Sequence, residues 1–113
     1  MNKLLTKIVQ VKKILFNGSV IESAFSENNL KYAAEYSLQI GGFVIPPTLL
    51  RVGSELNPSY KILAGHFQCY AALKAQSIDP VKGENIPAIV ITEDDPNFEI
   101  LLHQLNYINY GDS

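Results

Sequence analysis

The stretch YKILAGHFQCYAALKA, Tyr60 to Ala75, leaves a chain few ways to fold. An apolar, strand-like run, YKILA, stops at Gly65. His66, Phe67, Gln68 and Cys69 follow, and an alanine-rich segment takes over. GHFQCYAALKAQ reads as a helix, with Ala71, Ala72 and Ala75 on a face that allows close packing. A strand that turns at glycine into a helix points free backbone N–H groups and the positive dipole end at one spot. That spot suits an anion, and phosphate sites are commonly built this way. Here the turn holds no arginine, and the first lysine after it is Lys74.

The rest of the chain supplies partners for this corner. Thr6 to Leu15 is short and rich in β-branched residues, which predicts a strand. NGSV after it is a turn signal. Ser26 is placed to cap a helix, and Glu27 suits the positive dipole end. Leu30, Ala33, Ala34, Ser37 and Leu38 give that helix a buried stripe, and Gly41 and Gly42 stop it. In FVIPP each proline pushes the residue before it toward extended backbone. TLLRV and YKILA are then strands joined through GSELNPS. IDPVKGEN is a loop, and IPAIVIT is a strand apolar enough to be covered on both faces. Asp95 before Pro96 predicts a helix start, with Phe98, Leu101, Leu102, Leu105 and Ile108 as its apolar stripe. The tail NYGDS is expected to fray. The order is β-α-β-β-α-β-α, an α+β domain with a small mixed sheet packed with helices.

At 113 residues one domain is expected, spanning residues 1–113 and able to bury a core without staples. The net charge of −2 gives no global pull toward nucleic acid. Its distribution is uneven. Six of the nine basic residues, Lys3, Lys7, Lys12, Lys13, Lys31 and Arg51, lie in the first 51 positions. A single cysteine, Cys69, excludes an internal disulfide framework and fits a reducing cytoplasm. No apolar run reaches the roughly 18 residues of a spanning helix, and the lysine-interleaved start lacks a signal-peptide core.

Three segments resemble the N-terminal domain of ParB-type partition proteins, the ParB/sulfiredoxin fold, over roughly Val9 to Asn106. LKYAAEYSLQIGGFVIPPTLLRV resembles the family's helix, glycine, proline and strand. YKILAGHFQCYAALKA resembles the segment ending in Gly-Glu-Arg-Arg-Tyr-Arg-Ala-Ala. IPAIVITEDDPNFEILLHQLNYI resembles the last strand and the helix with a Glu-Asn-x-x-Arg motif. The first and third are soft patterns. The second is more specific, because glycine, an aromatic and paired alanines keep their intervals.

The resemblance implies a CTP site with Mg²⁺. Gly65, His66, Gln68 and Gln104 would be its phosphate and nucleotide side, and GGFVIPP, with Gly42, Ile45 and Pro46, would be its base pocket. The family's Glu-Arg-Arg falls on His66, Phe67 and Gln68, its Glu-Asn on His103 and Gln104, and its last arginine near Tyr107. Arginine grips phosphate through two charged hydrogen bonds, which phenylalanine cannot make and glutamine makes only as a neutral amide. Each lost charged bond is worth ~1.5–3 kcal/mol, so the implied site is a degenerate one. The sulfiredoxin branch carries a reactive cysteine that would fall on Phe67, while Cys69 lies two positions further into the helix.

His66 and His103 are the two histidines, both at family glutamate positions. They are the weak catalytic candidates, and with Cys69 the weak metal candidates. A polar rim explains the histidines and packing explains Cys69. Capping by Asp95 explains EDDPN, with Glu93 and Asp94 simply solvated. The six tyrosines, spread through all segments, are read as core and rim rather than base-stacking. The expected function is a stand-alone ParB-like module, nucleotide- or DNA-associated in plasmid or chromosome maintenance, with a degenerate CTP site. A ParB-like nuclease or nucleotide hydrolase and a protein-interaction domain without ligand are the alternatives. Non-specific DNA or a protein partner is expected, and no membrane.

Overall fold

The computed structural model describes residues 6–16 and 24–111, with side chains as far as Leu105. Strands β1 (Thr6–Gln10), β2 (Ile14–Leu15), β3 (Thr48–Gly53), β4 (Pro58–Ala64) and β5 (Asn85–Ile91) form one sheet in the order β1-β5-β3-β4-β2. Helices α1 (Glu27–Ile40), α2 (His66–Ile78) and α3 (Phe98–Gly111) complete an α+β fold. β1–β5 and β3–β4 are antiparallel, whereas β2–β4 and β3–β5 are parallel.

One prediction needs correction. Thr6 to Leu15 is not a single strand, because Val11–Lys13 form a 3-10 turn that divides it into β1 and β2. The two pieces lie at opposite edges of the sheet. A flat five-stranded sheet would hold its edges ~19 Å apart. The four steps from Gln10 to Ile14 reach only ~14 Å. The sheet therefore curls until its edges approach. Val11, fully buried, sits inside the curl and donates its N–H to the Glu84 carbonyl at 3.0 Å. It joins Val9, Ile14, Leu49, Cys69, Ala72, Ile86 and Ala88 in the main core.

The α1 boundaries match the sequence reading. Ser26 Oγ accepts from the Asn29 N–H at 3.4 Å, and Gly41 ends the helix in the left-handed region at φ 82°. Leu30, Ala34 and Ser37 are buried, and the Ser37 hydroxyl donates to the Ala34 carbonyl at 2.7 Å. α2 buries Cys69, Tyr70, Ala71, Ala72 and Ala75. Small side chains there let α1 and α2 approach closely, with Phe16, Phe25, Phe67 and Tyr70 filling one end. β4 begins at Pro58, two residues before the expected Tyr60, and so shortens the hairpin loop.

α3 also starts later than expected. The Asp95 carboxylate does accept from the Asn97 N–H at 2.8 Å, as a capping group would. Pro96 and Asn97 form a turn, however, and the helix begins at Phe98. Leu105 packs with Ala64 and Ile91, flanked by Phe98, Leu101 and Leu102. The expected turn at Asn17–Val20, the tail residues Asp112 and Ser113, and the side chains of Tyr107, Ile108 and Tyr110 lie outside the described residues.

Candidate functional site: the corner between β4 and α2

Gly65 makes the corner. Its φ of 85° is left-handed, and a β-carbon there would lie 2.9 Å from the Pro47 Cα. Only glycine lets β4 end and α2 begin this close to the lead-in of β3. Pro47 is itself buried, and its carbonyl accepts the Ile89 N–H at 2.9 Å. The second proline of FVIPP is thus clamped between β5 and Gly65.

In front of this wall is a cavity of about 230 Å³ lined by Ile45, Pro46, Thr48, Ala64, Gly65, Gln68 and Ile89. The Gln68 side chain crosses to the loop, where Nε2 donates to the Ile45 carbonyl at 3.1 Å. None of the seven lining residues is ionisable. Four site residues singled out in the sequence, Ile45, Pro46, Gly65 and Gln68, meet here. Gly42 does not line the cavity. It packs on β5 instead, where a β-carbon would sit 2.9 Å from Pro87 Cδ.

His66 occupies the first position of α2 and is half-buried, and the loss of water lowers its pKa below 6.5. His103 and Gln104 are exposed on α3. Cys69 is fully buried under the sheet, and burial pushes its thiol up to about 12. Among the described residues no three of the His, Cys, Asp and Glu side chains gather as a metal-holding group. His66, Cys69 and His103 are therefore not brought together as one. Burial keeps this thiol in its protonated form at neutral pH, whereas the thiolate is the nucleophilic form.

Thr48, Ala64 and Ile89 are lining residues that the sequence reading missed. Thr48 had a faint signal, a hydroxyl directly after two prolines. Ala64 and Ile89 had none, since they reach the cavity only through sheet register. A second cleft, of about 340 Å³, lies where β3 and β5 end, between Arg51, Val52, Gly53, Thr92, Glu93 and Asp94. Asp94 is not simply solvated: a hydrogen bond from Thr92 holds its pKa below the usual carboxylate value, with smaller help from its own backbone and the Arg51 charge. Arg51 Nη2 also approaches Glu55 at 3.7 Å.

No protein-family model matches the chain, and no curated protein matches it by sequence. Solved structures do. The chain is similar to the C-terminally truncated chromosome-partitioning protein ParB from Caulobacter crescentus complexed with CTP-gamma-S. The TM-score is 0.62 and the identity 17%, over 96% of this chain and 53% of that one. It is also similar to the C-terminally truncated protein complexed to the centromeric parS site. There the TM-score is 0.52 and the identity 22%, over 79% of this chain and 42% of that one. The chain thus spans about half the length of these structures, or less. The likeness is one of fold: three helices on a five-stranded mixed sheet, as in the N-terminal region of ParB.

Proposed function

We propose that this chain is a ParB-like binding module that works on DNA in plasmid or chromosome maintenance and whose nucleotide corner is degenerate. The observation behind this reading is the corner itself. Its backbone frame, with Gly65 locked on Pro47, is intact, while its lining is wholly uncharged. The lining offers no charged donor for a triphosphate and no carboxylate for its Mg²⁺. DNA contact would fall to exposed lysines on the sheet and its crossing turn, Lys7, Lys12 and Lys61. The test is fluorescence anisotropy with a labelled random-sequence duplex at ~50 mM and ~200 mM salt. Binding that weakens with salt, and weakens further in Lys12→Glu and Lys61→Glu, supports the reading. Absence of binding at the lower salt sinks it.

One observation favours the protein-interaction alternative. Tyr32, Tyr36 and Ile40 recur at four-residue intervals on α1 and are 61%, 64% and 62% exposed. They stand opposite the buried Leu30–Ala34–Ser37 face, where a solvated helix would carry charge. Tyrosines so placed suit a protein contact. Retention of a partner protein by the wild type, lost in a Tyr32→Ser/Tyr36→Ser variant that still folds, would move the conclusion to this reading.

A further inference from the structure

We propose that the corner cavity prefers an uncharged flat ligand, of the nucleobase or nucleoside class, over a nucleoside triphosphate. The inference rests on the reading of the corner as a degenerate nucleotide site and reverses the charge preference that the ParB-like fold implies.

Size is the first argument. About 230 Å³ falls below the ~300–1,000 Å³ of pockets for drug-sized ligands, so the occupant is small. Shape and polarity are the second. Ile45, Pro46 and Ile89 offer aliphatic walls, and Thr48 and Gln68 offer the polar groups. A primary amide carries two N–H donors and a carbonyl acceptor. Gln68 uses one donor on the Ile45 carbonyl, which fixes the orientation of the amide. Its other N–H and its Oε1 remain as a paired donor and acceptor. That pair matches the edge of a base that presents an amino group beside a ring nitrogen, as adenine does to glutamine.

Charge is the third argument. Among the described residues no lysine or arginine lines the cavity. Lys74, the first basic residue along α2, forms an ion pair with Glu27 of α1. His66 sits one residue from the lining, and desolvation keeps its imidazole neutral above pH 6.5. What is left for an anion is the α2 dipole, a partial charge that salt screens.

Calorimetric titration of the whole chain tests this. The probes are cytidine and adenosine, each with its mono-, di- and triphosphate, with and without Mg²⁺ at two salt concentrations. A nucleoside should bind at least as tightly as its triphosphate, with no response to Mg²⁺ and little to salt. Gln68→Ala should weaken it by about tenfold or more, because the ligand edge loses both hydrogen bonds. Gln68→Arg should reverse the order and favour the triphosphate. Affinity that climbs with each phosphate, or that needs Mg²⁺, overturns the proposal. So does the absence of nucleoside binding at millimolar concentration by protein that is folded by circular dichroism. Duplex binding is read separately. Its loss with nucleoside binding intact overturns only the DNA reading, and the converse overturns only this one.

Discussion

Replacing Gly65 by alanine should unfold this protein more readily than the same change at Gly41, the glycine that ends α1. Two costs combine at that position. A non-glycine residue held in the left-handed region costs about 1–2 kcal/mol. The new β-carbon would also lie 2.9 Å from the Pro47 Cα and 3.0 Å from its Cβ. Pro47 is buried and anchored to Ile89, so it cannot swing away as the end of a long side chain could. Overpacking of this kind costs about 1–3 kcal/mol. Gly41 is the internal control. Its φ is 82°, nearly that of Gly65, yet nothing lies within 4 Å of its would-be β-carbon. Gly41→Ala bears only the backbone cost. The two variants should therefore differ by about 1–3 kcal/mol, or roughly 5–15 °C in Tm for a domain of this size. Thermal unfolding followed by far-ultraviolet circular dichroism measures both. If Gly65→Ala melts within about 2 °C of Gly41→Ala, the Pro47 wall is soft. The account of why the corner needs glycine then fails.

Other expectations are simpler to check. Cys69 should resist an aromatic disulfide reagent at pH 8 in the folded protein and react at once in guanidinium, since its thiol is fully buried with a pKa of about 12. The His66 pKa is lower folded than unfolded, so the unfolded chain binds more protons as pH falls below 6.5, and stability drops in that window. Urea unfolding at pH 7.5 and 5.5 should show that loss, and His66→Asn should shrink it. Asp94 acts in a separate range: its lowered carboxyl pKa stabilises the fold above about 3.8, and that contribution disappears as acid protonates it. Ser26→Ala should cost about 0.5–1 kcal/mol in the same assay, at the low end because its hydrogen bond to Asn29 is 3.4 Å long.

Much of the fold is legible where one residue type admits one geometry. Ser26 and Gly41 bound α1 because an oxygen cap and a left-handed glycine are local devices, readable without neighbours. Gly65 announced the β4–α2 corner for the same reason. The split at Val11–Lys13 was not legible, because VQVKKIL has unbroken strand propensity. Only the buried seat of Val11 and the Glu84 carbonyl draw the chain out of the ladder there. α3 began late because Pro96 went to a turn held by Asp95, a choice that propensity cannot separate from a helix start. Of the corner, the glycine, Ile45, Pro46 and Gln68 were readable from motif position. The Gln68 bridge to Ile45 was not, since nothing local ties residues 23 apart. The tyrosines of α1, expected in core and rim, face outward instead. Periodicity sets Tyr32 and Tyr36 opposite Leu30 and Ala34, and counting around the helix would have found them.

The divided N-terminal strand also dictates when the domain can finish folding. Thr6 must wait for Ile89, almost the whole described chain away, and Leu15 must wait for Lys61. During synthesis residues 6–16 are made before either partner exists. They would then thread last, like a drawstring pulled through a nearly made hem, closing both margins of the sheet in one movement. Such distant pairing is slow to form. Until it does, β5 and β4 each show an unpaired edge to neighbouring chains, and it is then, rather than after folding, that this protein is most exposed to aggregation.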